Sequence, residues 1–359
     1  MRIIFSITML LFVFLTSCKK TEPVAPIPST ETIKVSLHAV ISVGTIVYDS
    51  LPAQWSITYW DANNIAHQKD TLLGPGVNLV DLPKGHLRYQ FSVNKWGVTS
   101  TMTLSKREIQ EGVVYTLGGN KQPKKLRAEE ISKFVTDQYQ PSSKIVYSYN
   151  TKGLSVVDYY QKFSQFPDLQ LTGKHVYNYD GANVNKIDVF DGDNAQTGFI
   201  SFNYNAQGTK ITNIHQKSHD IETFAAVDHS FPTGGAEINI NYTFSNGKSM
   251  EYNMKIRGGN IAEDLAISPT SGRESGTYRY DYSINPYAHM NMPNVFLSNI
   301  SRNNLTDQNK TYVGSYPTAD LFKLDYTYDG EGYPTEVIKQ YRDPKSGELV
   351  LKTKTVFLY

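Results

Sequence analysis

The stretch YNYDGANVNKIDVF, residues 177–190, has two tyrosines separated by one residue, then a turn, then a run in which apolar and polar residues alternate. Side chains two positions apart on a strand share one face. Asp180-Gly181 supplies the positive φ angles that a tight hairpin turn requires. The stretch therefore predicts a β-hairpin that carries both tyrosines on the same face.

The same order of aromatic residue, any residue, aromatic residue and turn occurs six times between residues 147 and 330. The second aromatic residues of the copies are Tyr149, Tyr179, Tyr204, Phe244, Tyr282 and Tyr328. Their irregular spacing disfavours a propeller or a strict solenoid. Successive hairpins most simply form an antiparallel meander, so residues 121–359 are predicted to be a large, hairpin-built, all-β domain. Residues 128–135 have the one pattern that is compatible with a helix.

The preceding segment, residues 33–120, also alternates with the period of a strand. Apolar side chains occupy every second position in residues 33–37, 55–59 and 87–93, and turn residues separate these runs. About seven short strands in a segment of this length predict a small immunoglobulin-like β-sandwich. Residues 118–123 (GGNKQP) are predicted to be the boundary between the two domains.

The first eighteen residues predict export and lipid attachment. Arg2 precedes an apolar run over residues 3–15, which is too short to cross the ~30 Å hydrocarbon core of a bilayer as a helix. Residues 1–17 are therefore interpreted as a signal peptide. The run ends in LTSC, residues 15–18, which resembles the lipobox of bacterial lipoproteins. Cys18, the one cysteine of the chain, is the predicted site of acylation, for example by palmitate.

The segment after this cysteine predicts where the protein is held. Residues 18–32 contain three prolines and no apolar periodicity, which is typical of an extended tether. Lys19 offers no retention signal of the aspartate type, so we expect anchoring in the outer membrane through the lipid on Cys18. A periplasm-facing orientation is favoured, and display at the cell surface stays open.

Charge and cysteine content restrict the classes of partner. The 359 residues include 35 basic and 34 acidic side chains, so the chain has no basic excess to attract a nucleic-acid backbone. A single cysteine allows neither an intrachain disulfide nor a cysteine-based metal cluster. We therefore expect no nucleic-acid partner and no cofactor.

Residues from about 125 to 359 resemble an uncharacterised domain family of Bacteroidota lipoproteins that is described as having a porin-like fold. The resemblance is carried by the Tyr-x-Tyr hairpins together with YSINPY, LSNISRNN and LDYTYDGEGYP, at residues 282–287, 297–304 and 324–334. The hairpins are similar as well to bacterial Tyr-Asp repeats, although they are less regular. The resemblance implies an envelope lipoprotein, and it transfers no catalytic or binding residue.

The aromatic ladder is the main candidate for a binding surface. If Tyr149, Tyr179, Tyr204, Tyr282 and Tyr328 faced solvent, they would form a strip suited to sugar rings or to a partner protein. If they faced inward, they would belong to the core, which is the favoured interpretation because cross-strand aromatic pairs are ordinary stabilisers of sheets. Their polar neighbours along the strands fit one dry face and one wet face.

Catalytic and metal motifs are weak in this sequence. His215 and His219 lie in a stretch that reads as a strand, which would place them on one face about 13 Å apart, too far for one ion. Asp191-Gly-Asp-Asn194 departs from the calcium-binding EF-hand pattern and is interpreted as a hairpin turn. No Gly-x-Ser-x-Gly or phosphate-binding loop occurs. The sequence thus predicts no metal site and no catalytic residue.

These observations favour a non-enzymatic binding or assembly role at the cell envelope, with a glycan or an envelope protein as partner. Two alternatives stay open. A hydrolase acting on polysaccharide or peptide predicts two carboxyl groups ~5–10 Å apart in a cleft. A purely structural envelope element predicts no site for a small ligand.

Overall fold

The computed structural model describes residues 31–135, 138–269, 272–293, 300–313, 318–343 and 346–359. The predicted signal peptide, Cys18 and nearly all of the predicted tether lie outside the described residues. Within the described part of the chain, no helix combines the length and the apolarity needed to cross a bilayer.

The described residues form 24 strands and one short 3₁₀ helix, Pro286–His289. The strands are β1 Thr32–Val43, β2 Ile46–Tyr48, β3 Ala53–Trp60, β4 Ala66–Leu73, β5 Val77–Pro83, β6 Arg88–Lys95, β7 Val98–Ser105, β8 Val114–Lys121, β9 Ala128–Val135, β10 Gln138–Tyr149, β11 Leu154–Lys162, β12 Leu169–Asp180, β13 Asn183–Asp191, β14 Gln196–Tyr204, β15 Ile211–Ser218, β16 Ile221–Ser230, β17 Ala236–Phe244, β18 Ser249–Arg257, β19 Asn260–Ser268, β20 Gly272–Ile284, β21 Asn303–Val313, β22 Thr318–Tyr328, β23 Pro334–Arg342 and β24 Leu349–Leu358. The all-β prediction is confirmed.

The first eight strands form two four-stranded sheets. One has the order β2-β1-β5 with β8 parallel to β1, and the other has the order β4-β3-β6-β7. Side chains of both sheets, such as Leu37 and Phe91, share one buried cluster. An immunoglobulin-like topology stays a prediction. Gly118, at the predicted domain boundary, lies within β8, where a Cβ would stand 1.5 Å from the carbonyl oxygen of Val40.

Strands β9 to β24 form a closed antiparallel barrel of sixteen strands. Each strand pairs with the next along the chain, as in the predicted meander, and β24 pairs with β9 to close the ring. The possible helix over residues 128–135 is wrong, because this segment is β9. It pairs with β10 on one side and with β24 on the other, and these two ladders outweigh its local helical propensity.

The inner face of the barrel wall holds a continuous apolar core, and the outer face carries several ion pairs. Buried side chains that alternate along the strands, such as Ile187, Phe202 and Ile240, belong to one cluster. Several ion pairs join outward positions: Lys144–Glu130, Lys186–Asp188, Lys255–Glu263 and Lys323–Asp325. Membrane-spanning barrels have the opposite arrangement, with an apolar band outside and a polar lumen. The outer face of this barrel is therefore suited to water.

One end of the barrel carries the N-terminal sheets. The even-numbered strands β10 to β24 end there, and we call it the near end. Tyr48 and Trp96 of the sheets pack in one cluster with Ile284 and Tyr333 of the barrel. The hydroxyl of Tyr48 also donates a hydrogen bond to the Arg302 carbonyl at 2.9 Å. The N-terminal sheets therefore pack against the near end.

Candidate functional site

Three tyrosines of the predicted ladder lie on the inner face at the near end. The hydroxyls of Tyr149, Tyr179 and Tyr204 donate hydrogen bonds to backbone carbonyls at 2.7–2.8 Å. The acceptors belong to Leu126, Leu154 and Val184. Burial raises the pKa of Tyr179 and of Tyr204 to about 12. These side chains pack against the barrel core, which agrees with the inward alternative.

The other two tyrosines of the ladder have different surroundings. Tyr328 is half-buried and its hydroxyl donates a hydrogen bond to the carboxylate of Asp281. Tyr282 is 49% exposed. The five tyrosines therefore do not form one exposed strip, and a binding role for them stays a prediction.

The two histidines considered for a metal site belong to different elements. His215 lies in β15, whereas His219 lies in the following turn with φ +52°. In the described ranges, no three His, Cys, Asp or Glu side chains are placed to hold one ion. Asp191 accepts backbone hydrogen bonds from Asp193 and Ala195, so the segment is a hairpin turn.

Two carboxyl groups lie near each other in the lumen, around Lys310. Lys310 forms ion pairs with Asp264 and Glu274. The hydroxyls of Tyr252 and Tyr278 each donate a hydrogen bond to Asp264 at 2.7 Å. Because the Asp264 side chain is only 1% exposed, a polymer has no access to it. This geometry gives no support to polysaccharide hydrolysis.

A different set of residues forms a groove on the outer face of β14 to β17. Strand register aligns one row of side chains across the four strands and a second row beside it. We call these two rows the outer groove: Ser201, His215, Phe224 and Thr243 in the first, and Asn203, Asn213, Ala226 and Asn241 in the second.

The first row provides a stacked aromatic pair. The rings of His215 and Phe224 are stacked, with centroids 4.3 Å apart and an interplanar angle of 11°. Phe199, on the same outer face, meets the His215 ring edge-on at 5.0 Å. Phe224 is 49% exposed. One face of the Phe224 ring is covered by His215, and about half of its surface is open to a ligand.

The second row provides amide groups that are open to solvent. Asn203, Asn213 and Asn241 are exposed. Within the described part of the chain, the side chains of Asn203 and Asn241 make no hydrogen bond, and that of Asn213 donates only to Thr212 at 3.3 Å. An amide both donates and accepts hydrogen bonds. Ala226 lies between Asn213 and Asn241, so its small side chain leaves a depression between two amides.

The outer groove is only partly visible in the sequence. Residues 237–243 (EININYT) alternate polar with apolar residues, so the polar ones share the face opposite to the core. That pattern marks Asn241 and Thr243 as outward-facing. It does not show which residues of β14 to β16 lie beside them.

The chain was compared with known proteins. It matches no protein-family model and no curated protein. Among solved structures, it is similar to a porin-like protein from Bacteroides uniformis, with 12% identity and a TM-score of 0.45 over 65% of this chain and 97% of that one. A porin-like protein from Bacteroides vulgatus also has 12% identity, with a TM-score of 0.38 over 65% and 98% of the two chains.

Proposed function

We propose that this protein is a lipid-anchored envelope protein that binds a glycan, without catalysis, in the outer groove. The observation that carries the proposal is the pairing of an aromatic row with an amide row on neighbouring positions of four strands. The chemistry of a sugar ring matches both rows, because its C–H faces pack on aromatic rings and its hydroxyls exchange hydrogen bonds with amides.

Attachment to the membrane would come from the acyl chains on Cys18, and the tether of residues 18–32 would separate the barrel from the lipid. The charged outer face of the barrel supports this arrangement, because such a face is unsuited to hydrocarbon. We propose the outer membrane as the location. The groove would then be reached by glycans on the periplasmic side or at the cell surface, according to the orientation of the anchor.

A glycan array tests the proposal with the full chain and two variants. Phe224→Ala removes the stacking platform and should reduce the array signal at least tenfold. Phe166→Ala is the matched control, because Phe166 is 44% exposed and lies in the β11–β12 turn, outside the groove. This control should retain the signal of the parent chain. The absence of binding to any glycan, or an equal loss in both variants, would contradict the proposal.

A further inference from the structure

The lumen contains a cavity that is separate from the outer groove. Its volume is about 290 Å³, close to the lower limit of typical small-molecule sites. It lies among inward positions of β9 and β20 to β24, below the segment that follows β20. Six aromatic rings contribute to its wall: Tyr278, Tyr280, Tyr287, Phe322, Tyr326 and Phe357.

A buried carboxyl group borders this cavity at the near end. Glu129 is 5% exposed and accepts hydrogen bonds from the hydroxyls of Tyr147 and Tyr287. No described cation pairs with it. A buried carboxylate without a cation is costly, and burial accordingly raises the pKa of Glu129. An ammonium group in the cavity would relieve this cost, and the surrounding aromatic faces attract the same kind of group.

An amino group borders the same cavity further along the barrel. The Nζ of Lys339 lies 3.9 Å from the ring centre of Phe322 and 4.5 Å from that of Tyr341. Within the described ranges Lys339 forms no ion pair. Its charge is therefore placed against aromatic rings in the lumen, available to an anionic group that enters the cavity.

Strand register sets the separation of these two charges. Glu129 pairs with Phe357 of β24, and Lys339 pairs with Thr353 of the same strand. The two pairs are offset by four residues, about 13 Å along β24, and Glu129 and Lys339 lie on the two strands that flank β24. The charged groups therefore border distant parts of one apolar cavity.

We infer that the lumen cavity binds a small zwitterion, with its ammonium group beside Glu129, its carboxylate beside Lys339 and an apolar chain between them. The inference does not depend on glycan binding, because no residue of the outer groove lines the cavity. A ligand with only one of the two charges satisfies only one of the two groups. A purely apolar ligand satisfies neither.

Calorimetry with three probes tests this inference on the full chain. The probes are 11-aminoundecanoic acid, undecanoic acid and undecylamine, which share an apolar chain and differ in their terminal groups. The zwitterion should bind about tenfold more tightly than either singly charged probe, as one extra charged contact provides.

Two variants should separate the charges. Glu129→Gln should weaken the binding of both amine-bearing probes about tenfold and leave that of undecanoic acid unchanged. Lys339→Met should weaken the binding of both carboxylate-bearing probes about tenfold and leave that of undecylamine unchanged. Lys352→Met, on the outer face of β24, is the control and should change none of them. A variant that loses its fold would lose all three probes, and the other variant would then decide. Failure of the zwitterion to bind, or to bind better than the other probes, would overturn the inference.

Discussion

The two faces of strand β17 show how differently the two sides of the barrel wall are built. Ile238 and Ile240 point inward and are at most 5% exposed, whereas Asn241 and Thr243 point outward and are exposed. The same nine residues thus supply part of the core and part of the outer groove. Period-two alternation lets one strand serve both purposes, because substitutions on one face leave the packing of the other face unchanged.

Polar groups are also treated differently on the two sides. On the inner face, tyrosine hydroxyls are bonded to backbone carbonyls or to buried carboxylates. On the outer face, the Asn203 and Asn241 amides bond to no described residue. Inner polar groups therefore hold the barrel together, while outer ones are available to a ligand. The predictions below test this division, in order of decreasing effect on stability.

The largest difference in stability is expected between substitutions at two neighbouring residues of β17. Ile240→Ala should reduce the free energy of unfolding by about 2–5 kcal/mol, because it leaves a cavity in a fully buried site. Asn241→Ala should change the free energy of unfolding by less than about 0.5 kcal/mol, because it removes an exposed amide that bonds to no described residue. Urea unfolding of the two variants measures both values. Similar losses would show that the outer face also stabilises the barrel.

A smaller effect is expected from the tyrosine ladder. Tyr204→Phe removes the hydrogen bond from its hydroxyl to the Val184 carbonyl and should cost about 1 kcal/mol of unfolding free energy. Tyr282→Phe is the matched control, because Tyr282 is half-exposed and its hydroxyl bonds to no described residue. Thermal unfolding compares the two. A control as unstable as Tyr204→Phe would remove the distinction between inner and outer tyrosines.

The hairpins were predictable from sequence, since they follow from local alternation and turn residues, whereas alternation left open which face of each hairpin lies inside. The end of the barrel at which each copy lies was not predictable from sequence. Tyr149, Tyr179 and Tyr204 end even-numbered strands at the near end, whereas Phe244 ends β17 at the opposite end. Two copies lie at the same end of the barrel only if an odd number of strands separates them. The sequence pattern does not predict the number of strands between copies reliably.

Barrel closure and the outer groove depend on contacts between distant parts of the chain. Strands β9 and β24 pair although they lie more than 200 residues apart. Nothing in the local sequence of either strand predicts this pairing. The groove likewise joins residues of four strands whose register is fixed by turns and by bulges such as that between Asn203 and Tyr204. One shift of register would exchange the inner and outer side chains of a strand, so the site cannot be derived from composition.

The smallest effect, visible only as a dependence on pH, is expected at Glu129. Burial raises the pKa of Glu129 in the folded protein. At a pH well below the ordinary pKa of glutamate, Glu129 is protonated in both the folded and the unfolded state. At a pH above that value, the folded state keeps the proton more readily than the unfolded state. Stability should therefore fall as pH rises from about 4.5 through the raised pKa. Glu129→Gln cannot ionise and should show a flatter profile between pH 4 and 8 in urea unfolding. Asp281, another buried carboxyl with a raised pKa, remains in the variant and keeps part of the slope. An unchanged slope would mean that the pKa of Glu129 is the same in the folded and unfolded states, and the contrast between a dry inner face and a wet outer face would then not extend to this carboxyl.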